Sequence, residues 1–341
     1  MCRSCATVPV DGLLLGVRRH RVTMTATPIN TLRAALVFIH LFRLSLSAAT
    51  IRASFLTEGV ALRDTLDILR SSGCKDDATV AFQQAVARYA STAFDFDFSK
   101  FPRPCEGFYS FESASSLIAA LPHQLCDTRH AYEFNCLDTV IALAGGSLRI
   151  NLRPDDSAGP FLVPYTQTNG SFTVLPRATA RDAFMLAYPP WYRDVTDTAL
   201  PQTIRDARIS LTAALFGCHM LPQSTTEEGL RDRVTDVLRS SWRRHGMKFP
   251  AKFEVVLCHE VSFSQLFFVT AHAGLLFPRK HGYTYIEKSG GGGPFVRIDF
   301  EDRVDLLSWL GSVFRGAEKF GYTHCFATFN DEKIEVLEFL K

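Results

Sequence analysis

The sequence predicts an α+β domain in which helices come first and an antiparallel sheet follows. Apolar residues recur at helical spacing in most segments before residue 243, and from Phe253 onward they alternate at every second position. The 341 residues are 47% hydrophobic and 21% charged, which supplies enough apolar surface for a buried core and excludes general disorder. Because no repeat or linker divides the chain, we expect a single domain over residues 50–341.

The charge balance excludes a general attraction to nucleic acid. The chain has 37 Lys and Arg residues against 35 Asp and Glu residues, a net charge of +2, and no local basic stripe is evident. We therefore expect no nucleic-acid partner. The aromatic residues are dominated by 28 Phe, which is typical of a thick hydrophobic core rather than of an exposed stacking surface.

The residues after Met24 have the pattern of a secretory signal. Arg33 precedes an apolar run over 34–42, and small residues lead to Ala49, where a signal peptidase would cleave. We expect translation from Met24, a leader over 1–49 and a periplasmic or secreted protein. An ordinary amphipathic helix is the alternative. Since the run is short and followed at once by Arg43, we expect no stable membrane span.

The cysteines indicate neither a metal site nor a complete set of disulfides. Nine are present, at positions 2, 5, 74, 105, 126, 136, 218, 258 and 325, and removal of the leader would leave seven. An odd number leaves at least one free thiol even in an oxidising compartment. The only C-x-x-C pair, Cys2 and Cys5, would be lost with the leader, so we expect no metal and no cofactor.

Helical spacing predicts several helices around a loop-rich insertion at about 150–250. The predicted helices cover residues 58–70, 76–90, 113–120, 207–216 and 226–242, with a later one at 304–314. A capping box at Thr225 and Glu228 opens the helix over 226–242. Residues 150–205 are rich in Pro, Asp, Thr and Gly and are expected to form a long surface loop. Aromatic residues in it are candidates for a substrate groove, or for plain packing on the sheet: Tyr188, Trp191 and Tyr192.

One helix is expected to start with a reactive thiol. Asn135 is a capping residue type, Gly145 follows an apolar run, and Cys136 lies in the first turn between them. The positive end of a helix dipole and a neighbouring imidazolium both favour a thiolate. Backbone N–H groups of the same turn, with possible support from Asn135, are expected to face a developing oxyanion.

The strand region supplies a histidine and a carboxylate. Predicted strands cover 253–262, 264–277, 282–289 and 294–300, and a last hairpin turns at about Asn330. A four-residue loop over 278–281 places His272 directly opposite Glu287, where a carboxylate would orient the ring. A tight turn near Phe263 places Glu254 opposite His272 as a second candidate for this role.

The neighbouring residues indicate open space and no metal. Gly274 is expected to leave room for a substrate backbone near His272, with Tyr285 on the substrate side of the next strand. In the run Cys258-His259-Glu260, consecutive strand residues face opposite ways and cannot converge on an ion. Structural alternatives remain for the catalytic candidates: a buried thiol, a core histidine and a solvated glutamate.

These residues resemble the papain-like fold of bacterial cell-wall cysteine amidases, including the CHAP group and the relatives of the NlpC lipoprotein. The resemblance rests on Asn135-Cys136-Leu137-Asp138 before an apolar helix, and on His272-Ala-Gly with Tyr285-Ile-Glu287 further on. It covers about 130–145 and 260–300, and the same residues look like an uncharacterised family of exported bacterial proteins. It implies that Cys136 is the nucleophile, His272 the general base and Glu287 the orienting residue.

The sequence thus predicts an exported thiol hydrolase that cleaves an amide bond in a peptide or a peptidoglycan stem peptide, without a cofactor. Acyl transfer is the alternative within enzymes, in which an amine releases the thioester. The alternative outside enzymes is a non-catalytic exported binding module that uses the aromatic loop at 188–192 as its contact surface.

Overall fold

Helices cover both faces of one long antiparallel sheet in the computed structural model of the chain. The structure describes residues 51–56, 59–93, 101, 104–120, 134–168, 171–187, 200, 202–289, 293–314 and 317–337. Its α-helices are α1 Gly59–Ser71, α2 Asp76–Ala93, α3 Ala114–Ala120, α4 Cys136–Ala144, α5 Ala180–Ala187, α6 Gln202–Leu215, α7 Leu230–Arg244 and α8 Arg303–Val313.

The strands form two sheets in the described residues, and every pairing is antiparallel. The main sheet has the order β11-β10-β6-β7-β8-β9-β1-β2, with β5 also paired to β7, and β3 pairs with β4 alone. The strands are β1 Ile51–Phe55, β2 Tyr109–Phe111, β3 Ser157–Thr168, β4 Ser171–Thr179, β5 Cys218–Met220, β6 Glu254–Ser262, β7 Phe267–Pro278, β8 Tyr283–Lys288, β9 Phe295–Phe300, β10 His324–Phe329 and β11 Lys333–Leu337. The predicted α+β class and the strands between 253 and 300 are confirmed.

Most predicted helices are present, but one capping signal is wrong. The helix expected from residue 226 begins at Leu230, after Gly229. The Thr225 hydroxyl donates to the carbonyl of Pro222 at 2.6 Å, and the Gly229 N–H donates to the Thr226 hydroxyl at 3.2 Å. Both threonines therefore stabilise turns that precede the helix, and no capping box forms at Thr225.

The expectation of a long loop over 150–205 is also wrong for much of that segment. Residues 157–179 form the β3–β4 hairpin, and α5 follows it directly. Three prolines lie in the hairpin strands: Pro160, Pro164 and Pro176. A two-stranded sheet has a free edge on each strand, and prolines without an N–H are tolerated at such edges. The aromatic candidates Tyr188, Trp191 and Tyr192 lie outside the described residues.

The main sheet separates two hydrophobic clusters. On its first face, strand residues such as Leu257 and Leu275 pack with side chains of α1, α2, α4, α6 and α7. On its second face, residues such as Val256 and Leu276 pack with side chains of α3 and α8. Because alternate strand residues point to opposite faces, the position of a residue in its strand decides which cluster it joins.

The leader lies outside the described residues, so export stays a prediction. The described part of the chain belongs to one compact unit over Ala49–Lys341. No helix in it is long and apolar enough to cross a membrane. The cysteines described there form no disulfide bonds: Cys74, Cys105, Cys136, Cys218, Cys258 and Cys325.

A buried ion pair anchors α4 to α6. Nη2 of Arg208 lies 3.0 Å from Oδ1 of Asp138, and both side chains are almost completely buried. The Arg208 guanidinium also lies over the ring of Phe184, 4.9 Å from its centroid. Buried charges are costly unless they are paired, so this contact restricts where the first turn of α4 can sit.

We predict that Arg208→Ala destabilises the fold strongly, because it leaves the carboxylate of Asp138 buried without its charge partner. The expected loss in the free energy of unfolding is about 3–5 kcal/mol, measured by urea denaturation. Arg181→Ala is the matched control, because Arg181 pairs with Asp155 at 3.0 Å on the exposed surface. Similar losses in the two variants would contradict the anchoring role.

Candidate active site

Strand β7 carries His272 at a break in its pairing. On one side β7 pairs with β6 along most of its length, whereas on the other it pairs with β5 at 267–269 and with β8 at 274–278. Within the described chain, residues 270–273 have no strand partner on that second side, and a bulge against β6 leaves Ala271 unpaired. Helix α4 packs against β7 and β8, so its first turn can approach the strand at this break.

His272 and Glu287 form a short hydrogen bond inside the protein. Nε2 of His272 lies 2.6 Å from Oε2 of Glu287, and the two residues are only 4% and 1% exposed. The predicted pairing of these two residues is confirmed as a contact. Bonding through Nε2 leaves Nδ1 as the ring nitrogen available to another partner.

The predicted register of this hairpin is wrong by two residues. Gly274 lies opposite Glu287, so His272 contacts the carboxylate along a diagonal. The turn covers residues 279–282, because Gly282 adopts φ +82° and its carbonyl accepts from the N–H of Arg279 at 3.0 Å. Since side chains alternate with a period of two, this change leaves both residues on the second face.

Cys136 is the first residue of α4 and completes the cluster. The side chain of Asn135 caps the helix, accepting from the N–H of Asp138 at 2.7 Å. Cys136 is buried, and its sulfur lies close enough to the His272 imidazole to raise the pKa of the ring. The three predicted catalytic residues therefore lie together, with the ring between the sulfur and the carboxylate.

The electrostatics of the cluster favour a charged imidazole. Burial by itself lowers the pKa of His272, but the charges of Glu287 and Cys136 and the hydrogen bonds to both raise it above its usual value, to about 10. An imidazolium held beside a buried carboxylate is consistent with this balance. The ring of Phe314 lies edge-on to His272, with the centroids 6.4 Å apart, and helps to bury it.

Gly274 and Tyr285 do not provide the open space expected for a substrate. A Cβ atom on Gly274 would lie 2.3 Å from Oη of Tyr285, so the phenol ring already occupies that space. Tyr285 is completely buried, and burial together with the charge of Glu287 raises the pKa of the phenol. Gly274 is therefore needed for the packing of the Tyr285 ring.

Glu254 is not an alternative partner for His272. It lies opposite Leu276, and its Oε2 accepts from Nη2 of Arg303 at 3.2 Å. The residue opposite His272 on β6 is Cys258, which was considered from the sequence only as a possible metal ligand and not as a neighbour of the catalytic candidates. The turn between β6 and β7 is longer than expected and the bulge adds one residue, so the expected pairing of Glu254 was wrong.

Cys258 is a second thiol beside the cluster, but it is poorly suited to act as a nucleophile. It is completely buried, and burial, with the charges of Glu287 and Cys325, raises the pKa of its thiol well above the usual value. Only the strand register could have identified it, because the local sequence around it reads as ordinary core.

Its neighbour His259 is a satisfied core histidine. The His259 ring contacts the hydroxyls of Thr328 and Thr270, each at 3.1 Å. Burial lowers the pKa of this imidazole to about 3, which keeps it neutral. In the part of the chain that the structure describes, no group of His, Cys, Asp and Glu side chains could hold a metal ion.

Comparison with known proteins gives one partial match. Residues 215–334 match a family described as "Domain of unknown function (DUF4300)". That segment contains His272 and Glu287 and does not reach Cys136. No curated protein and no solved structure matches the chain. The chain is thus similar over its sheet region to a family whose description names no activity.

Proposed function

We propose that the protein is an exported cysteine hydrolase that cleaves an amide bond through a thioester intermediate. The observation that carries the proposal is the buried imidazole of His272, bonded to Glu287 at 2.6 Å and close enough to the sulfur of Cys136, at the start of a helix, for that sulfur to raise the pKa of the ring. A base that lies between a thiol and an orienting carboxylate is the arrangement that thiol hydrolysis requires.

Acylation begins with attack by the Cys136 thiolate on the substrate carbonyl. The new S–C bond moves the carbonyl electron pair onto oxygen, and an oxyanion forms. The N–H groups of Cys136 and Leu137 are available to it, because the first N–H groups of a helix have no intrahelical partner and Asn135 already accepts from the next one, at Asp138. Collapse then breaks the C–N bond, and the His272 imidazolium protonates the leaving amine.

Deacylation returns the site to its starting state. Neutral His272 removes a proton from water, and the resulting hydroxide attacks the thioester carbonyl. The sulfur leaves with the bonding electron pair, so the Cys136 thiolate and the imidazolium are regenerated and the acid product departs. Throughout, Glu287 keeps Nε2 of the ring engaged and leaves Nδ1 for these transfers.

We place this hydrolase in the papain-like class. The support is a helix that begins with a cysteine and packs on an antiparallel sheet, with the histidine and the carboxylate on neighbouring strands later in the chain. The substrate class, a peptidoglycan stem peptide, follows from the resemblance to cell-wall amidases and from the predicted export signal. Solvent reaches the region through the exposed Ala271 beside the largely buried His272.

We predict that purified peptidoglycan incubated with the protein yields new amine and carboxylate ends detectable by mass spectrometry. Cys136→Ala should abolish these fragments, because the other thiol beside the cluster, Cys258, is completely buried and its pKa is raised well above the usual value. Cys218→Ala, which removes a different buried thiol, should leave them unchanged. A second incubation with added glycine methyl ester distinguishes acyl transfer from hydrolysis, because transfer to this amine would give amide products. Identical profiles for wild type and Cys136→Ala would remove the substrate proposal.

Alkylation tests the thiolate without reference to any substrate. We predict that iodoacetamide labels Cys136 fastest among the buried thiols, with each site resolved by peptide mass spectrometry. Burial raises the pKa of Cys74 to about 12 and raises that of Cys325 further, so both should label slowly. His272→Ala should slow only Cys136, whereas the exposed Cys105 serves as an internal standard. Equal, slow labelling of Cys136 and Cys74 would favour the binding module.

The pH profile tests the role of Glu287. Loss of the imidazolium proton ends general-acid catalysis, so activity should fall at alkaline pH, towards the raised pKa of His272. We predict that Glu287→Gln moves this alkaline limb to lower pH, because it removes the negative charge that raises the pKa, and lowers kcat at least tenfold. Glu254→Gln, at a carboxylate paired with Arg303, is the control. An unchanged limb in Glu287→Gln would contradict the assignment.

A further inference from the structure

A separate cavity lies at the turn between β7 and β8, beside the end of β9 and its partner strand β1. Its volume is about 580 Å³, and the residues that line it are Arg52, Arg279, His281, Gly282, Asp299, Phe300 and Glu301. A cavity of this size accommodates a small metabolite. Tyr283 at this end is four residues from Glu287, roughly 13 Å along the strand at about 3.3 Å per residue. The cavity is therefore distinct from the candidate active site.

We propose that this cavity binds a small ligand through an oxyanion group, either a phosphoryl group or a carboxylate. The guanidinium of Arg52 would hold this group, together with the N–H groups of Arg279 that do not face Asp299. Oxyanions accept hydrogen bonds from guanidinium groups in a bidentate geometry, and arginine keeps its charge at all relevant pH values. The inference is independent of the thiol chemistry proposed above.

The carboxylate nearest to these arginines is already saturated. Oδ1 of Asp299 accepts from Nε of Arg297 at 3.0 Å and from the hydroxyl of Thr284 at 2.7 Å. Its Oδ2 accepts from Nη2 of Arg297 at 3.1 Å and lies 2.9 Å from Nη1 of Arg279. A carboxylate has about four lone-pair sites, so Asp299 has little capacity left for a further cation.

Because Asp299 is already paired with Arg279 and Arg297, it forms no ion pair with Arg52. Arg52 lies directly opposite Asp299 on the neighbouring strand, yet it forms no ion pair with any residue that the structure describes. Its guanidinium instead lies over the ring of Phe108, 4.4 Å from the centroid, and Arg297 lies 4.8 Å from the same centroid. Stacking holds the guanidinium plane while its N–H edge stays available, which prepares it for an anion.

The cations that line the cavity are better placed for an anion than its carboxylates are to oppose one. The guanidinium groups of Arg52 and Arg279 and the imidazole of His281 line it, together with Asp299 and Glu301, and Asp299 is already paired with Arg297 beside the cavity. Glu301 is exposed at the rim, where water screens its charge. Low-dielectric walls on one side of such a site strengthen its attraction for an anion.

The loop that completes the cavity carries its basic residues in one short run, Arg279-Lys280-His281. Gly282 closes the loop against β9 with φ +82°, and a Cβ there would lie 2.0 Å from the carbonyl oxygen of Phe300. Only glycine allows this approach, which brings Arg279 to within reach of Asp299. The backbone thus holds the basic run over the cavity.

The test is isothermal titration calorimetry of the full chain with two probes, inorganic pyrophosphate and citrate, at low and moderate salt. We expect at least one probe to bind with a Kd below about 1 mM, and binding to weaken as salt rises. Binding of pyrophosphate alone assigns a phosphoryl ligand, and binding of citrate alone assigns a carboxylate ligand. Failure of both probes to bind would overturn the proposal.

The residue assignment is tested with Arg52→Gln, which removes a cation that no described ion pair uses and so should fold normally. We expect it to weaken binding of the probe by about tenfold or more, the loss of one charge-assisted contact. Arg243→Gln, at an exposed arginine on α7, is the matched control and should bind as wild type does. Cys136→Ala should also bind as wild type does. Equal weakening in Arg52→Gln and Arg243→Gln would show only general charge attraction and would contradict the site.

Discussion

The hydrogen bond between His272 and Glu287 is the contact on which the candidate active site depends. Both groups are buried, and a charged carboxylate in such a place is costly unless a cation or several donors satisfy it. The imidazole satisfies Glu287 on one side and engages Cys136 on the other. The imidazole is therefore the group that links the other two, and the ring of Tyr285 fills the space next to Gly274 on the same face of the sheet.

A gap in the strand pairing of the main sheet lies at His272. β5 and β8 share one side of β7 and leave a short stretch of it without a strand partner. Helix α4 packs against β7, and its position depends on a buried ion pair between Asp138 and Arg208. Asp138, two residues after Cys136, thus has a cation as its partner inside the protein. The same fold leaves a cavity with two arginines at the β7–β8 turn, beside the end of β9.

The segment that matches the family, residues 215–334, contains only some of the residues of the candidate active site and of the cavity. It contains His272, Glu287, Arg279 and the saturated Asp299, whereas Cys136 and Arg52 come from earlier parts of the chain. Most of the main sheet thus comes from the later part of the sequence, whereas helix α4 and strand β1, from the earlier part, supply Cys136 and Arg52. Any chemistry of the sheet region must therefore be examined on the whole chain.

The sequence by itself determined the helix that begins at Cys136, its capping by Asn135, most of the strands, and the fact that His272 and Glu287 share a face. Helical and strand periodicities encode these features locally, and alternation is insensitive to a shift of two residues. Only the tertiary structure decided which residues stand opposite each other, that Tyr285 fills the space at Gly274, that Glu254 pairs with Arg303, and that prolines are tolerated in a hairpin at 157–179. These outcomes depend on turns, bulges and contacts between distant segments, which a local pattern does not contain.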